Sequence, residues 1–375
     1  MKRGIILKKS GLYRPILGIL LLIYIGTLVI VNILSTDKVF SESENRRLEQ
    51  APKISTSQII GGRFTSNYEK YVSDQFPLRD FWIGIKSISE QALGKRENNG
   101  VYLGKDEYLL EKFEKPKDVD LKSKVDEINS LISNIPNINK YFILAPNSVK
   151  ILEEKLPPYA PNADELVYIN KVKSSINNNI NFVDIYDILY SNRDEYIYYK
   201  TDHHWTTRGA YLAYEKLMED MGISPHEEEY FNIKKVTDSF YGSLYSKSGF
   251  RKLNPDSIEL YIPKIDEGIK VEYVDEGKVS NSIYNMDNLN KKDKYMVFLG
   301  GNHSLIKIET NIENKEKLLI VKDSYANSFI PFLTGHFSEI YVVDPRYYRG
   351  DLESLMEDDR IDNLLIIYNI NTFLQ

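Results

Sequence analysis

Short apolar runs bounded by turn residues alternate with amphipathic stretches over most of the chain beyond residue 98. Helices repeat apolar residues every three to four positions, whereas a buried strand is a continuous apolar run of about four to eight residues. Helical spacing covers about 118–132, 206–221 and 352–359. Strand-like runs are VYLG at 101, EYLLE at 107, YFILA at 141, INFVDIYDIL at 180, LLIVKDS at 318, EIYVVD at 339 and NLLIIYN at 363. This alternation predicts an α/β domain with a mostly parallel sheet.

Two stretches depart from this pattern. Residues 36–97 are first polar and then repeat aromatic and apolar residues at helical spacing over about 63–92. Residues of about 225–305 are rich in Tyr, Asp, Lys and Asn and have weaker periodicity. We interpret 36–97 as a helical segment that packs on the main domain, and 225–305 as an insertion within a domain of residues 98–375.

The longest apolar run, Ile16–Leu34, has nineteen residues without a charge. A helix of this length, at about 1.5 Å per residue, just crosses a hydrocarbon core of roughly 30 Å. A cleaved signal peptide is the alternative, but its apolar region is shorter, about 7 to 15 residues, and small residues mark its cleavage site. The charged residues before the run are all basic: Lys2, Arg3, Lys8, Lys9 and Arg14. The positive-inside rule therefore predicts a cytoplasmic segment 1–15, a membrane anchor 16–34 and an extracytoplasmic remainder.

The charge balance and the absence of cysteine exclude several classes of function. The chain carries 48 Lys and Arg against 54 Asp and Glu, and beyond residue 35 the balance is 43 against 54, a net charge of −11. Such a surface repels a polyanion, which argues against nucleic-acid binding. A chain without cysteine has no disulfide, thiolate zinc site or thiol nucleophile. Any nucleophile is therefore an oxygen or a nitrogen atom.

Two of the five histidines lie beside an aspartate in TDHHWT at 201–206, before an amphipathic helix that Thr206 or Thr207 would cap. In acyl transfer a histidine takes a proton from a hydroxyl group, and a carboxylate on its other ring nitrogen fixes the tautomer. Asp202 suits this role towards His204 if the segment is a loop. Taken alone, the triplet favours a plain loop before a helix. Zinc ligation is a third interpretation, which the missing H-x-x-x-H spacing weakens.

A second candidate follows the apolar run at 318–322, which ends in Asp323-Ser324 and turns into a short helix. In open parallel α/β sheets the ligand crevice lies at the carboxyl ends of the strands, where Ser324 would be a nucleophile. Its own amide, at a helix N-terminus, would contribute to an oxyanion hole. A serine that only caps a helix is commoner. The Asp-x-His motif in the same domain favours the nucleophile.

TDHHWT at 201, followed by KDSYANSF at 322, resembles the DHHW family, relatives of the alginate O-acetyltransferases AlgJ and AlgX with a fold similar to the SGNH hydrolases. Similar stretches include SENRRL at 43, a DxFPxR motif at 74–79, GKDEYL at 104, APNS at 145, VDPR at 343 and IIYNINTF at 366. The resemblance implies an SGNH-hydrolase-like domain with Ser324, His204 and Asp202 as a catalytic triad. It also implies a partner, a multipass membrane-bound O-acyltransferase that supplies acetyl groups across the membrane.

Four further residues are candidates for contacting substrate or an oxyanion. Asn147, after the YFILA strand, would donate its side-chain N–H to an oxyanion or would simply start a turn. Arg346 ends another strand and would bind an acyl oxygen or sugar hydroxyl, or form a surface ion pair. Asn302 follows two glycines that suit an oxyanion loop or an ordinary turn. Trp205 either packs so as to position the histidine or stacks on a sugar.

These observations favour an extracytoplasmic, membrane-anchored O-acetyltransferase that modifies hydroxyls of a cell-surface or secreted polysaccharide through an acyl-Ser324 intermediate. We expect no cofactor, no metal and no nucleic-acid partner. A polysaccharide acetyl esterase with the same triad is one alternative, because water and a sugar hydroxyl differ only in which nucleophile the crevice admits. A non-catalytic scaffold subunit of a polysaccharide-modification complex is the other.

The anchor leads to a first prediction. If Ile16–Leu34 is retained, the mature protein begins at or near Met1, stays with membranes after a salt wash and is digested by protease added from outside. Intact-mass spectrometry of the purified protein checks the N-terminus. A mature chain that starts after residue 34 would show that this segment is cleaved off and does not anchor the protein.

Overall fold

A computed structural model describes residues 10–41, 44, 46–135 and 138–374. Residues 1–9 of the predicted cytoplasmic segment lie outside this range, as do Ser43 and Asn45 of the SENRRL stretch. The chain divides into two compact units, Met1–Glu90 and Gln91–Gln375. The predicted domain boundaries, the packing of 36–97 on the main domain and the insertion at about 225–305 remain predictions.

The first unit begins with a long apolar helix. Its stretch Pro15–Leu34 has a mean hydropathy of 2.7 with none of it buried, and is long and apolar enough to cross a membrane. A helix of this kind is compatible with a single-pass anchor or with a signal sequence. The elements that begin in this unit are α1 (Ser10–Leu34), β1 (Phe40–Ser41), β2 (Arg46–Arg47), α2 (Thr56–Ile60), α3 (Arg63–Asp74) and α4 (Arg79–Ala92).

The helical spacing over 63–92 is divided between α3 and α4 rather than forming one helix. Pro77 lies between them, and a proline has no N–H for the helical ladder and disfavours helical backbone at the residue before it. The next residue, Leu78, has a φ of 56°. The chain therefore turns sharply between the two helices.

The second unit contains the predicted alternation of strands and helices. Its strands are β3 (Glu97–Asn98), β4 (Val101–Leu103), β5 (Leu109–Glu111), β6 (Asn139–Ala145), β7 (Asn181–Phe182), β8 (Phe231–Phe240), β9 (Asp256–Pro263), β10 (Lys270–Tyr273), β11 (Lys278–Ser280), β12 (Leu305–Glu309), β13 (Lys317–Lys322), β14 (Glu339–Val343) and β15 (Asn363–Asn369). Its helices are α5 (Asp118–Asn134), α6 (Ser148–Ile151), α7 (Glu165–Ser175), α8 (Tyr186–Ser191), α9 (Thr207–Met221), α10 (Ser243–Ser248), α11 (Leu352–Asp358) and α12 (Ile370–Phe373).

Within the described residues, eight strands form the main sheet in the order β11-β10-β12-β14-β13-β15-β6-β7. The pairs from β14 to β7 are parallel, and β10, β11 and β12 form an antiparallel edge. The central strands β13 and β15 are buried along almost their whole length, as expected of parallel strands covered on both faces. The prediction of an α/β fold with a mostly parallel sheet is confirmed.

The predicted strand from residue 180 is much shorter than its apolar run. Only Asn181–Phe182 pairs with the sheet, and α8 begins at Tyr186. The side chain of Asp184 accepts a hydrogen bond from the Tyr186 amide at 3.2 Å, an Asx turn that redirects the backbone into a helix. The apolar residues beyond this turn therefore pack from a helix.

Strands β6, β13, β14 and β15 run parallel and so end at the same edge of the sheet. Asn147, Ser324 and Arg346 all follow these strand ends. The TDHHWT stretch, in contrast, forms a loop before α9. Thr206 is the N-cap of α9, and its Oγ1 accepts a hydrogen bond from the Gly209 amide at 3.3 Å.

Gly209 allows α9 to approach the preceding loop closely, and this leads to a second prediction. A Cβ at this position would lie 2.3 Å from the carbonyl oxygen of Ile197. Gly209→Ala is expected to lower the free energy of unfolding by about 1–3 kcal/mol, although alanine is the better helix former. Urea unfolding of the detergent-solubilised protein measures this.

Gly84 in α4 provides the matched control, because a Cβ there would meet nothing within 4 Å. Gly84→Ala is expected to leave stability unchanged or to raise it by up to about 1 kcal/mol. A Gly209→Ala protein as stable as the wild type would contradict the close approach.

Candidate active site

The structure brings Asp202, His204 and Ser324 into one hydrogen-bonded chain. The Nε2 atom of His204 lies 2.9 Å from Ser324 Oγ, and its Nδ1 lies 2.5 Å from Asp202 Oδ1. An ionised carboxylate can only accept, so Nδ1 carries the proton and Nε2 of the neutral ring accepts the serine proton. Asp202 and His204 are buried, whereas Ser324 is partly exposed. The hydroxyl group is therefore the member of the chain that a substrate can reach.

Asp202 is held on both of its oxygens. Oδ1 accepts from the backbone amide of His204 at 3.0 Å, and Oδ2 accepts from the amide of Ser243 at 2.7 Å. A Cβ on Gly242 would lie 2.2 Å from the Cβ of Asp202, so only glycine fits beside the carboxylate. The start of α10 thus closes over Asp202 and fixes its orientation.

A second buried carboxylate fixes the backbone just before Asp202. Asp256, at the start of β9, accepts hydrogen bonds from the amides of Lys200 and Thr201, both at 2.8 Å, and from the Thr201 hydroxyl at 2.5 Å. The Tyr196 hydroxyl donates to the same carboxylate. Asp256 therefore ties the TDHHWT loop to the β8–β9 hairpin.

The imidazole ring of His204 is also held by stacking. The ring of Tyr295 lies parallel to it, with the centroids 3.8 Å apart and an angle of 8° between the planes. The Tyr295 hydroxyl donates to the carbonyl oxygen of Ser324 at 3.0 Å. Tyr295 therefore contacts both His204 and the backbone of Ser324, and it fixes their relative position. Nothing in the sequence distinguishes it from the other 27 tyrosines.

Burial and neighbouring charges set the protonation of the site. Burial by itself would raise the pKa of Asp202, but His203, His204 and the Ser243 amide outweigh it and hold this pKa below its usual value. Burial and, to a lesser extent, the charge of His203 together lower the pKa of His204 to about 4, although Asp202 acts in the opposite direction. At neutral pH the ring is thus an uncharged base beside an ionised carboxylate.

Lys322, at the end of β13, is a buried cation that sequence reasoning did not single out. Its Nζ donates to Asn327 Oδ1 at 2.7 Å and to Asn302 Oδ1 at 2.9 Å, and lies 3.8 Å from Asp344 Oδ2. Burial lowers its pKa to about 8, against the opposing effect of Asp344. An ammonium group only donates, so Oδ1 of the exposed Asn302 faces Lys322 and its Nδ2 points away.

The other three candidates have their side chains engaged by protein groups. Asn147 is buried, and its Nδ2 donates to Glu165 at 2.8 Å, which favours the turn interpretation. Arg346 forms a two-pronged ion pair with Asp344, at 2.8 and 2.6 Å. Trp205 is fully buried and donates to the carbonyl oxygen of Tyr325 at 3.0 Å, which favours packing over contact with a sugar.

The same motif contains a cluster of metal-ligand type. Donor atoms of Asp202, His203 and His204 lie within 4.8 Å of one another. Both ring nitrogens of His204 already have partners, however, and His203 Nδ1 lies 2.6 Å from the Ser243 hydroxyl. A metal ion here would have to break the hydrogen-bonded chain, so the geometry favours acid–base chemistry over metal ligation.

A family model described as DHHW protein matches residues 141–343, more than half of the chain. The chain belongs to the DHHW family. The matched segment contains Asp202, His204 and Ser324, and the predicted membership is confirmed. A comparison with curated proteins gives no match.

Solved structures of similar fold include a DHHW family protein from Eubacterium siraeum, with 26% identity and a TM-score of 0.66 over 74% of this chain and 93% of that one. PatB1 from Bacillus cereus, solved with a sulfonyl adduct, has 21% identity and a TM-score of 0.63 over 73% and 95%. The O-acetyltransferase domain of Pseudomonas putida AlgJ is more remote, at 13% identity and a TM-score of 0.45 over 74% and 92%. The first two likenesses support the fold described above.

The low pKa of His204 leads to a third prediction. With ¹⁵N-histidine labelling, the five histidines can be followed by NMR, and the His204 ring is expected to stay neutral down to about pH 4. His203→Ala should raise this pKa because it removes a neighbouring positive charge. Asp202→Asn should lower it because it removes the stabilising carboxylate.

The same shift has a consequence for stability. The unfolded chain, with an ordinary histidine pKa of 6.5, binds the proton before the folded protein does. Acidification from pH 6.5 towards 4 therefore lowers the free energy of unfolding through this group. A His204 signal that titrates at or above pH 6.5 would contradict the buried, neutral ring.

Proposed function

We propose that this protein is an extracytoplasmic, membrane-anchored O-acetyltransferase that modifies hydroxyls of a cell-surface or secreted polysaccharide. The hydrogen-bonded chain from Asp202 through His204 to a partly exposed Ser324 is the observation that carries this proposal. It is the arrangement that serine acyl transfer requires, at the carboxyl edge of parallel strands. Membership of the DHHW family supports it.

In the proposed first half-reaction, His204 Nε2 takes the proton of Ser324 Oγ as this oxygen attacks the acetyl carbonyl of the donor. The tetrahedral intermediate collapses to acetyl-Ser324, and the imidazolium returns its proton to the departing donor group. Asp202 holds the Nδ1 proton and stabilises the imidazolium throughout. In the second half-reaction a sugar hydroxyl loses its proton to His204 and attacks the acetyl-serine. As this second tetrahedral intermediate collapses, His204 returns the proton to Ser324 Oγ, and the acetylated sugar and the free serine result.

Two donors are suited to the developing oxyanion. The Ser324 amide lies at the first position of its helical turn, where N–H groups have no partner within the turn. Nδ2 of Asn302 points away from Lys322, because its oxygen is held there. We assign Lys322 the role of orienting Asn302, so that an N–H rather than a carbonyl oxygen is presented to the substrate.

The helix α1 bears on where the protein acts and on which partner supplies its acetyl groups. With α1 as an anchor and its N-terminus in the cytoplasm, the candidate site lies outside the membrane, where polysaccharide is available. The acetyl group then has to come from a donor on that side. The family resemblance indicates a multipass membrane-bound O-acyltransferase as the supplier.

The fourth prediction tests the nucleophile. The purified protein is expected to release acetate slowly from an activated aryl acetate and to be sulfonylated at one position by a sulfonyl fluoride. Ser324→Ala should abolish both reactions, and Asp202→Ala and His204→Ala should each lower the rate by about 10³-fold or more, because triad members act as a unit. Peptide mass spectrometry locates the sulfonyl group.

His203→Ala is the matched control, since it removes the neighbouring histidine and leaves the hydrogen-bonded chain intact. It is expected to keep most of the activity. Two results would refute the catalytic proposal: sulfonylation of Ser324→Ala at the wild-type rate, or full polysaccharide acetylation in cells that carry Ser324→Ala. The non-catalytic scaffold subunit would then be the remaining hypothesis.

Adding a soluble oligosaccharide distinguishes transfer from hydrolysis. A transferase gives acetylated sugar at the expense of free acetate, because the sugar hydroxyl competes with water for acetyl-Ser324. An esterase gives acetate alone and removes acetyl groups from a pre-acetylated polymer. The second result would show that the protein is an esterase with the same triad and not a transferase.

A further inference from the structure

The DxFPxR motif at 74–79 has no part in the proposed chemistry and forms the turn between α3 and α4 in the first unit. Its charged residues fix this turn. Asp74 accepts two hydrogen bonds from the Arg46 guanidinium, at 2.6 and 2.9 Å, and Arg79 forms an ion pair with Glu44. The turn therefore has a defined conformation, with an ion-pair network on its polar side.

The same turn is hydrogen-bonded to the end of the apolar helix α1. Asn32 Nδ2 donates to the carbonyl oxygen of Gln75 at 3.1 Å. The Gln75 side chain accepts from the amide of Lys38 and donates to its carbonyl oxygen, both at 2.9 Å. These bonds hold Gln75 beside the last turn of α1 and the residues that follow it.

The length of α1 sets the depth of this contact. The apolar stretch Pro15–Leu34 has 20 residues, which at about 1.5 Å per residue extends roughly 30 Å and matches the hydrocarbon core of a bilayer. With α1 across the membrane, Asn32 lies at the boundary between hydrocarbon and lipid headgroups. Gln75, bonded to Asn32, lies at the same depth.

The residues after Gln75 present large apolar side chains that the protein does not cover. Phe76, Leu78 and Phe81 are 37%, 71% and 55% exposed, and together with Val31 and Ser35 they line a concavity of about 610 Å³. Leu78 has a φ of 56°, a conformation that is unfavourable for any residue but glycine. The ion pairs and hydrogen bonds of the turn hold this strained leucine in the open, and strain of this kind is retained where the surrounding structure imposes it.

We propose that Phe76, Leu78 and Phe81 insert into the outer interface of the bilayer that α1 spans. The proposal rests on the anchoring of the chain by α1. Lipid is the partner that these side chains would contact. The hydrogen bond from Asn32 places the turn at the boundary between hydrocarbon and headgroups, where lipid provides the apolar surroundings. Lys38 is exposed at the edge of the same concavity, where its ammonium group can bind a lipid phosphate. The turn is thus a second membrane contact that supplements the spanning helix.

The absence of cysteine allows a direct test by single-cysteine spin labelling of the full-length protein in lipid nanodiscs. Labels at Leu78→Cys and Phe81→Cys are compared with Ile23→Cys, in the middle of α1, and with Glu69→Cys, on the exposed surface of α3. The measurement is the ratio of accessibility to oxygen, which partitions into lipid, and to a nickel chelate, which stays in water. The labels at 78 and 81 should give ratios between those of the two reference positions.

The reference at residue 23 separates failure of this proposal from failure of the anchor. A lipid-like ratio at 23 with a water-like ratio at 78 and 81 overturns the membrane contact and leaves the anchor intact. A water-like ratio at 23 overturns both. Exclusion of both reagents from 78 and 81 shows that protein covers these residues, and this also overturns the proposal.

Discussion

The contact between the Asp202 carboxylate and Nδ1 of His204 determines the chemistry of the site. Both groups are buried, and an uncompensated buried charge would be costly. The structure therefore provides a donor for each carboxylate oxygen. In return the carboxylate fixes the tautomer, so the unprotonated nitrogen faces Ser324. The glycine before Ser243, the hairpin tied by Asp256 and the ring of Tyr295 all serve to keep this contact in place.

The sequence predicted those features of the site that have local signals. An apolar run that ends in Asp-Ser, and an Asp-x-His pair before a capped helix, are recognisable without a fold. The supporting residues Tyr295 and Asp256 have no such signal, because they reach the site only through the folding of the stretch after α9. Lys322 is the first residue of the KDSYANSF stretch, but nothing in the sequence showed that its ammonium group is buried and bonded to Asn302.

The alternation of strands and helices was also predictable, whereas element lengths depended on individual side chains. An Asx turn at Asp184 converts a predicted strand into a helix, and Pro77 divides a predicted helix in two. Asn147 and Arg346 follow strand ends that meet at one edge, as expected from the parallel order. Their partners Glu165 and Asp344 engage them as structural contacts, a distinction that depends on packing between distant segments.

The position of β15 has a consequence for how the protein matures. This last strand in chain order pairs with β13 on one side and with β6 on the other, so it completes the middle of the sheet rather than an edge. The amide of Asn369 at its end donates to Asp323, the residue before Ser324. The proposed nucleophile Ser324 and the proposed base His204 therefore both precede, in the chain, the strand that holds the end of β13 in place. A sheet completed in this order depends on non-local pairing, which makes folding intrinsically slow, and the proposed acyl transfer requires β15 to be in place.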